Sequence, residues 1–354
     1  MQDILSILSE HHLVALIGLV GGVLLGLAAR LGRFCTMGAI EDWLYGGSDT
    51  RLRMWGLAIG AAVFGTFALM AGGVFDPAES YYLGLRWMPH ASVIGGLLFG
   101  YGMALAGNCG YGAIARLGGG DLRSFVIVLV MGVATYVIMS GPLAGLRVLL
   151  FPQEAVTGAA PGIAHQLAGW TGLPVAVLGM AMGAAILVFA GMSRALWAKP
   201  MQVVWALAVA LAALTAWAGT SWVAASGFEA VPVVSHSFAA PLGESILWWM
   251  TGSAWPVTFA VGSVAGVWLG AFIGSLIKGH FRWEACEDPR ELRRQIIGAA
   301  LMGFGAVIAM GCSVGQGLSA FSVLAWSAPV TAVSIVAGAA LGLRQLILGF
   351  APAE

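Results

Sequence analysis

Apolar residues occur along the chain in runs long enough to cross a lipid bilayer. A hydrocarbon core about 30 Å thick requires roughly 20 consecutive apolar helical residues, and runs near that length recur throughout the 354 residues. The pattern therefore predicts an all-α polytopic membrane protein. About nine transmembrane helices are expected, at residues 12–30, 54–73, 91–107, 124–141, 173–193, 201–219, 256–277, 295–310 and 327–348.

The overall composition agrees with this class of protein. The chain is 60% hydrophobic and only 9% charged, which is too few charges to cover a soluble protein of this size. Its net charge of zero argues against a nucleic-acid partner. The first apolar run begins near Leu13 without a preceding basic segment or a cleavage site, so no cleavable signal peptide is expected.

Most lysine and arginine residues lie at helix ends and in loops on one side of the predicted membrane. With the N-terminus outside, thirteen of the 16 basic residues lie on the inner side, only Arg86 and Arg147 lie outside, and Arg344 lies near the inner end of the last helix. Basic residues favour the cytoplasmic side of membrane proteins. The sequence therefore predicts an outer N-terminus and a cytoplasmic C-terminus.

Two glycine- and cysteine-containing stretches repeat at a spacing of 203 residues. Residues 97–118 align without gaps on 300–321, with matches that include Cys109 on Cys312 and Gly112 on Gly315. The predicted topology directs the helix before Cys109 inward and the helix before Cys312 outward, which makes the two halves inverted repeats. We expect an N-terminal half at residues 1–172, a linker helix at 173–200 and an inverted C-terminal half at 201–354.

A short apolar segment follows each of these two cysteines. Residues 110–117 and 313–322 are too short to cross a membrane and too apolar for an ordinary loop, so they are predicted to be re-entrant half-helices, which must be buried in protein. Residues 33–39, around Cys35, form a third such segment. Its counterpart at 238–242 has no cysteine. Glu41 and Glu244 lie at matching positions, where a functional role and a capping or interfacial role are both open.

The glycine content and the remaining cysteines have simpler interpretations. The 52 glycines are roughly twice the usual share of about 7%, and the stripe formed by Gly95, Gly96, Gly100 and Gly102 is assigned to helix packing. The four cysteines contain no C-x-x-C pair, so neither a disulfide framework nor a zinc site is predicted. No cofactor is expected, and Cys286, in a charged loop, is given no role.

Cys35, Cys109 and Cys312 each end a predicted helix, and this placement suggests a path for a solute. Neutral thiols suit a soft, sulfur-bearing anion, and backbone N–H groups at helix starts favour its negative charge. Glycines after the cysteines would leave such N–H groups open to a ligand: Gly110, Gly112, Gly315 and Gly317. The competing interpretation is that these cysteines are small buried hydrophobic residues.

Three arginines, Arg33, Arg116 and Arg123, lie at the predicted inner mouth of this path. They can attract an anion through it, or they can simply follow the positive-inside rule. Both interpretations remain open at this point.

Three motifs connect the chain to a known family. GNCGYGAI at 107–114, MGCSVGQG at 310–317 and RFCTMGAI at 33–40 resemble the YeeE/YedE sulfur-transport family over nearly the whole chain. The resemblance implies a bacterial inner-membrane protein, not an enzyme, that imports thiosulfate along cysteine thiols. Cys312 would be the outer station, Cys109 the central one and Cys35 the inner one. It also implies a small cytoplasmic sulfurtransferase-like partner, for which loop 279–294 is the expected docking surface.

Three alternatives follow from the same residues. The first is transport of another sulfur or selenium compound. The second is a membrane-embedded thiol oxidoreductase, which would need a C-x-x-C pair or a periplasmic cysteine pair, and the sequence contains neither. The third is a structural or channel-type scaffold, in which Cys109→Ser and Cys312→Ser would keep function.

Overall fold

The computed structural model describes residues 9–154, 162–285 and 288–349, which are almost entirely helical. A 3₁₀ turn occupies Pro77–Glu79 and a π-helix occupies Gly315–Ala320. The α-helices are α1 (Glu10–Leu31), α2 (Thr36–Leu44), α3 (Thr50–Ala71), α4 (Tyr81–Gly84), α5 (Pro89–Ala106), α6 (Gly110–Leu117), α7 (Leu122–Met139), α8 (Ala144–Leu150), α9 (Ile163–Thr171), α10 (Val175–Gly191), α11 (Arg194–Trp197), α12 (Pro200–Ser226), α13 (Ala240–Thr251), α14 (Phe259–Ile277), α15 (Pro289–Ile308) and α16 (Ser327–Leu348).

Each predicted apolar run lies within one long helix, but the number of apolar spans is lower than nine. Across the described residues, seven spans are long and apolar enough to cross a membrane, or eight if α9 and α10, which are bent by 119°, form one span. Two helices account for the difference. Helix α10 has 17 residues and counts only together with α9, and α15 carries Arg290, Glu291, Arg293 and Arg294 in its first turns. The chain is thus an all-α polytopic membrane protein with seven or eight apolar spans.

The predicted helix breaks occur at the three cysteines. The pairs α1–α2 and α5–α6 each form one interrupted apolar span, of 35 and 29 residues, and Cys35 and Cys109 are the N-caps of α2 and α6. After Cys312 the chain forms a π-helix rather than the expected α-helical segment. The re-entrant path of these short segments through the membrane stays a prediction.

The helix contacts follow the 203-residue repeat. The shift relates α1 to α12, α3 to α14, α5 to α15, α6 to the π-helix and α7 to α16. Contacts between a helix of the first half and one of the second recur between their counterparts: α1 packs on α14 as α12 packs on α3, and α5 packs on α16 as α15 packs on α7. Likewise, α6 contacts α14 and the π-helix contacts α3. This pattern of contacts is the one expected for two repeats that are related by a two-fold axis.

Glycines allow the long helices to pack with their backbones in contact. A Cβ atom at Gly22 of α1 would lie 2.4 Å from the Ser263 carbonyl oxygen of α14, and one at Gly266 would lie 2.2 Å from the Leu19 oxygen. The stripe on α5 has the same role: a Cβ at Gly102 would lie 2.5 Å from the Gly298 oxygen. The packing role predicted for this stripe is therefore confirmed.

Large apolar side chains cover the outside of the described helices. Val188, Phe189, Trp249, Ile277 and Val333 are all exposed. In water such a surface would be an aggregation hazard. In a bilayer it is the lipid-facing surface that a polytopic protein requires.

We predict that Gly22→Ala destabilises the fold, because the new methyl group must separate α1 from α14. Overpacking of this kind costs about 1–3 kcal/mol. The measurement is the apparent Tm of the detergent-purified protein. Gly169→Ala is the matched control, because a Cβ at Gly169 meets no atom within 4 Å. Equal Tm values for the two variants would contradict this account of the packing.

Candidate functional site

Cys312 is buried at the second helix break, with donors around its sulfur. Its Sγ accepts the backbone N–H groups of Phe238 at 3.2 Å and Gly315 at 3.4 Å, and it lies 3.7 Å from the Ser237 hydroxyl. The thiol is 1% exposed. Residues 237–238, which precede α13, therefore complete the site that α15 and the π-helix begin.

Cys109 has the equivalent environment in the first half. Its Sγ accepts the N–H of Gly112 at 3.5 Å, as Cys312 does from Gly315, and it is also 1% exposed. The repeat places Cys35 at the position of Phe238. Cys35 and Cys312 both lie close enough to act electrostatically on Cys109. The fold thus brings the three predicted cysteines together in one packed cluster. Their order in a row, with Cys109 in the middle, stays a prediction.

Phe238 connects the two cysteine sites. Its N–H donates to Cys312, its carbonyl oxygen would lie 2.7 Å from a Cβ atom at Gly110, and its ring is 5.4 Å from that of Tyr111. The Tyr111 hydroxyl in turn donates to the Leu25 carbonyl at 2.6 Å. Gly110 therefore has to be glycine for the backbones to approach this closely.

The same backbone turn precedes all three cysteines. Two positions before each of them, the chain adopts a left-handed conformation: φ is 57° at Arg33, 76° at Gly107 and 57° at Met310. This turn ends the incoming helix and places the cysteine at the start of the next segment. Only Gly107 is the residue type that this conformation favours.

Each cysteine has a neighbour in sequence with a buried polar side chain. Thr36 Oγ1 and Asn108 Oδ1 have no hydrogen-bond partner among the described residues, whereas the Ser313 hydroxyl lies within hydrogen-bonding reach of the Cys109 sulfur. Buried polar atoms without a partner are rare in folded proteins because they are costly. They can bond to the oxygen atoms of an oxyanion, in the case of Asn108 with its amide group turned over. Sequence reasoning missed all three, although each lies directly beside a cysteine.

The glycine N–H groups are less open than expected. Those of Gly112 and Gly315 donate to the cysteine sulfurs, and that of Gly317 donates to the Ser313 carbonyl at 3.1 Å. The expectation of an open N–H is therefore wrong for Gly317. For Gly112 and Gly315 the present partner is sulfur, a weak acceptor that a charged ligand can replace.

A cavity of about 440 Å³ adjoins Cys312. Ser237, Met310 and Gly311 form its floor beside Cys312, and apolar side chains form most of its wall. Glu244 also lines it and accepts a 2.5 Å hydrogen bond from Thr258, whereas its repeat counterpart Glu41 is exposed. The two matching acids therefore have different environments.

Basic residues gather on the side of the predicted inner mouth, but Arg123 is not free there. It pairs with Asp121, Glu284 and Glu291 at 3.2–3.6 Å and so joins α7 to loop 279–294 and α15. Arg33 and Arg116 are exposed. The Lys278 ammonium group donates to the Arg30 carbonyl at 2.7 Å, Arg116 lies within electrostatic reach of Arg30, and Arg33 lies within electrostatic reach of Lys278. Arg33 and Arg116 thus belong to a basic cluster with Arg30 and Lys278.

Loop 279–294 is anchored to the start of α7 in its described part. The Leu122 N–H donates to the Glu284 carbonyl and the Glu284 N–H donates to the Gly120 carbonyl, both at 3.0 Å. Arg282 and Trp283 remain exposed beside these bonds. Cys286 lies outside the described residues.

This arrangement defines a class of protein: a polytopic membrane protein with three cysteines gathered at its helix breaks, a cavity beside Cys312 and a basic cluster around Arg33. Among the described residues no group of histidine, cysteine and acidic side chains could hold a metal ion. Residues 31–341 match the family described as sulphur transport, and the chain belongs to that family.

Two relatives extend the comparison over almost the whole chain. A protein of Escherichia coli K12 named thiosulfate transporter TsuA is 27% identical over 336 residues, covering 91% of each chain. A protein of Spirochaeta thermophila with the same name is 26% identical over 339 residues, covering 91% of this chain and 96% of its own. The resemblance drawn from the three cysteine motifs is therefore confirmed.

We predict that Cys35 reacts with N-ethylmaleimide faster than Cys109 or Cys312. Cys35 is partly exposed and the other two are buried, and thiol reactivity requires access to the sulfur. The measurement compares labelling rates of three proteins in detergent, each retaining one of these cysteines and carrying Cys286→Ser. Faster labelling of Cys109 than of Cys35 would be inconsistent with the burial of Cys109.

Proposed function

We propose that this protein imports thiosulfate across the bacterial inner membrane, and does so without catalysing a reaction. The observation that carries the proposal is the cluster of three thiols, each beside a buried polar side chain, of which Thr36 and Asn108 have no hydrogen-bond partner among the described residues. Thiosulfate has one soft terminal sulfur and three oxygens, so it matches both kinds of group. The names of the two relatives support the same substrate.

The thiols would bind the ion by hydrogen bonds, with no covalent step. A neutral thiol is a weak donor, and its S–H can point to the terminal sulfur of thiosulfate while the neighbouring hydroxyl and amide groups bond to the oxygens. The proton stays on the cysteine throughout. Several weak sites in a row suit transport, because the ion must leave each site as readily as it enters.

The order of the stations would be Cys312, Cys109 and Cys35. Cys312 adjoins the large cavity, Cys109 lies in the middle of the row, and Cys35 follows Arg33 of the basic cluster. An anion leaving Cys35 would meet positive charge at the exit. In this proposal Arg33 and Arg116 form the inner mouth, while Arg123 holds loop 279–294 to α7.

Two inverted halves would provide the framework for this path. The exchange of equivalent helix contacts supports halves at 1–172 and 201–354 joined by the linker at 173–200. Helix α10 occupies most of that linker and packs against α3. With the N-terminus periplasmic and the C-terminus cytoplasmic, Cys312 faces the periplasm and loop 279–294 the cytoplasm. A small sulfurtransferase-like protein would dock on the exposed part of this loop to receive the imported ion.

The proposed function predicts loss of thiosulfate uptake when a thiol in the row is replaced. Cys35→Ser, Cys109→Ser and Cys312→Ser each remove the soft sulfur contact, and a contact worth about 1.4 kcal/mol in the rate-limiting step lowers the rate about tenfold. The measurement is uptake of radiolabelled thiosulfate at matched membrane expression, in a bacterium lacking its own sulfate and thiosulfate uptake.

Cys286→Ser is the matched control and should retain uptake. Full uptake by the three other variants would exclude the thiol row while leaving thiosulfate as the substrate. No uptake by the well-expressed wild type would refute thiosulfate, and selenium and other sulfur oxyanions would then be assayed in the same strain.

The proposed orientation predicts that Cys286 is protected from the outside. In a protein with Cys35, Cys109 and Cys312 all changed to serine, a membrane-impermeant maleimide should label Cys286 in inverted vesicles and leave it unlabelled in intact spheroplasts. Labelling of Cys286 in intact spheroplasts would contradict the proposed orientation and indicate the opposite one.

A further inference from the structure

Arg147 has no counter-charge among the described residues and borders the cavity that the proposed orientation places on the outer side. It lies on α8, and its side chain lines this cavity of about 440 Å³, whose wall includes Gly311 next to Cys312. Its Nε is buried without a hydrogen-bond partner among the described residues, and no acidic side chain described in the structure forms an ion pair with it. An arginine in this state is ready to bind an anion.

The histidine and the acidic residue on the cavity wall both have partners. His11 pairs with Glu229 at 2.9 Å, and Glu244 accepts the hydrogen bond from Thr258. Arg86, the second arginine of the predicted outer side, is largely exposed and pairs with Glu154 at 3.3 Å. Among these charged groups, Arg147 is the cation that remains available to a solute in the cavity.

Membrane topology alone does not explain Arg147. The positive-inside rule disfavours arginine on the outer side, and a surface arginine normally extends its whole guanidinium group into water. Arg147 instead keeps its Nε buried beside the cavity, where an unpaired charge is costly. An anion that visits this position would offset that cost.

We propose that Arg147 recognises the oxyanion end of the transported ion in the outer cavity, before the ion reaches Cys312. This inference rests on the proposed function and adds to it a specificity residue on the outer side. The planar guanidinium group can bond to two oxygens of a sulfur oxyanion at once. A sulfur compound without oxygen atoms lacks this contact, so the site favours oxyanions.

Tyr82 provides the next donor on the way to Cys312. It lines the same cavity, and its hydroxyl would lie 3.2 Å from a Cβ atom at Gly315, the residue that donates to the Cys312 sulfur. The hydroxyl forms no hydrogen bond with the residues that the structure describes, and Tyr82 lies within electrostatic reach of Cys312. An ion released by Arg147 therefore meets a free hydroxyl beside the first thiol.

The first test measures the charge preference of the cavity without requiring transport. A protein retaining only Cys312 is labelled with two methanethiosulfonate reagents of similar size, one anionic (ethylsulfonate) and one cationic (ethyltrimethylammonium). Arg147→Gln should lower the anionic-to-cationic rate ratio about five- to tenfold, because a nearby charge acts oppositely on the two reagents. Arg147→Lys should restore most of the ratio, and Arg86→Gln should leave it unchanged.

The second test measures thiosulfate uptake in cells by the protein with all its cysteines. Arg147→Gln should raise the KM about tenfold or more, as expected for loss of hydrogen bonds to a charged group, with little change in the maximal rate. Arg86→Gln should match the wild type. A fall in maximal rate at unchanged KM would indicate a structural role and overturn the proposal.

The two tests separate this inference from the proposed function. An unchanged labelling ratio in Arg147→Gln would overturn the role of Arg147 even if thiosulfate uptake by the wild type is robust. No labelling of Cys312 by either reagent would overturn it too, because the cavity would not lead to the thiol. A lowered ratio in a protein that takes up no thiosulfate would refute the proposed substrate and keep the anion site.

Discussion

The structure depends on interrupting helices in the middle of a membrane protein without leaving their backbones unsatisfied. A break exposes N–H and carbonyl groups that lipid cannot bond, so it must be enclosed by protein and its polar groups must find partners. Here cysteine sulfur accepts the freed N–H groups of Gly112, Gly315 and Phe238. The atoms that would carry the ion are therefore also the atoms that make the breaks tolerable.

Enclosing the breaks requires the surrounding helices to pack closely, and glycine makes this possible. The contacts of α1 with α14 and of α5 with α15 and α16 bring backbones together where any side chain would clash. These tightly packed helices fix the positions of the short segments that they surround. The glycines of the long helices and those of the breaks thus serve one purpose, which is to hold a closely packed frame around the three cysteines.

Apolar runs predicted the helices well, because lipid imposes a simple requirement on their length and composition. Cys109 and Cys312 could be found because a repeat preserves unusual residues, whereas Cys35 needed a family resemblance.

The polar atoms of Thr36, Asn108 and Ser313 could not be singled out, because small polar residues at helix breaks usually act as caps. The ion pairs of Arg123 with Glu284 and Glu291 join residues at least 161 positions apart in sequence, which no local pattern encodes. The charged first turns of α15 were visible in the sequence, but the apolar second half of that helix outweighed them.

A left-handed backbone conformation occurs two residues before each cysteine. Glycine, which favours this conformation, occupies only one of the three positions, Gly107, and the other two hold Arg33 and Met310. A residue with a side chain pays roughly 1–2 kcal/mol for that conformation, so two of the three turns persist at a cost to folding. A search for a glycine signature would find one turn and overlook the others. The three segments therefore resemble one another more closely in backbone conformation at this position than in residue type.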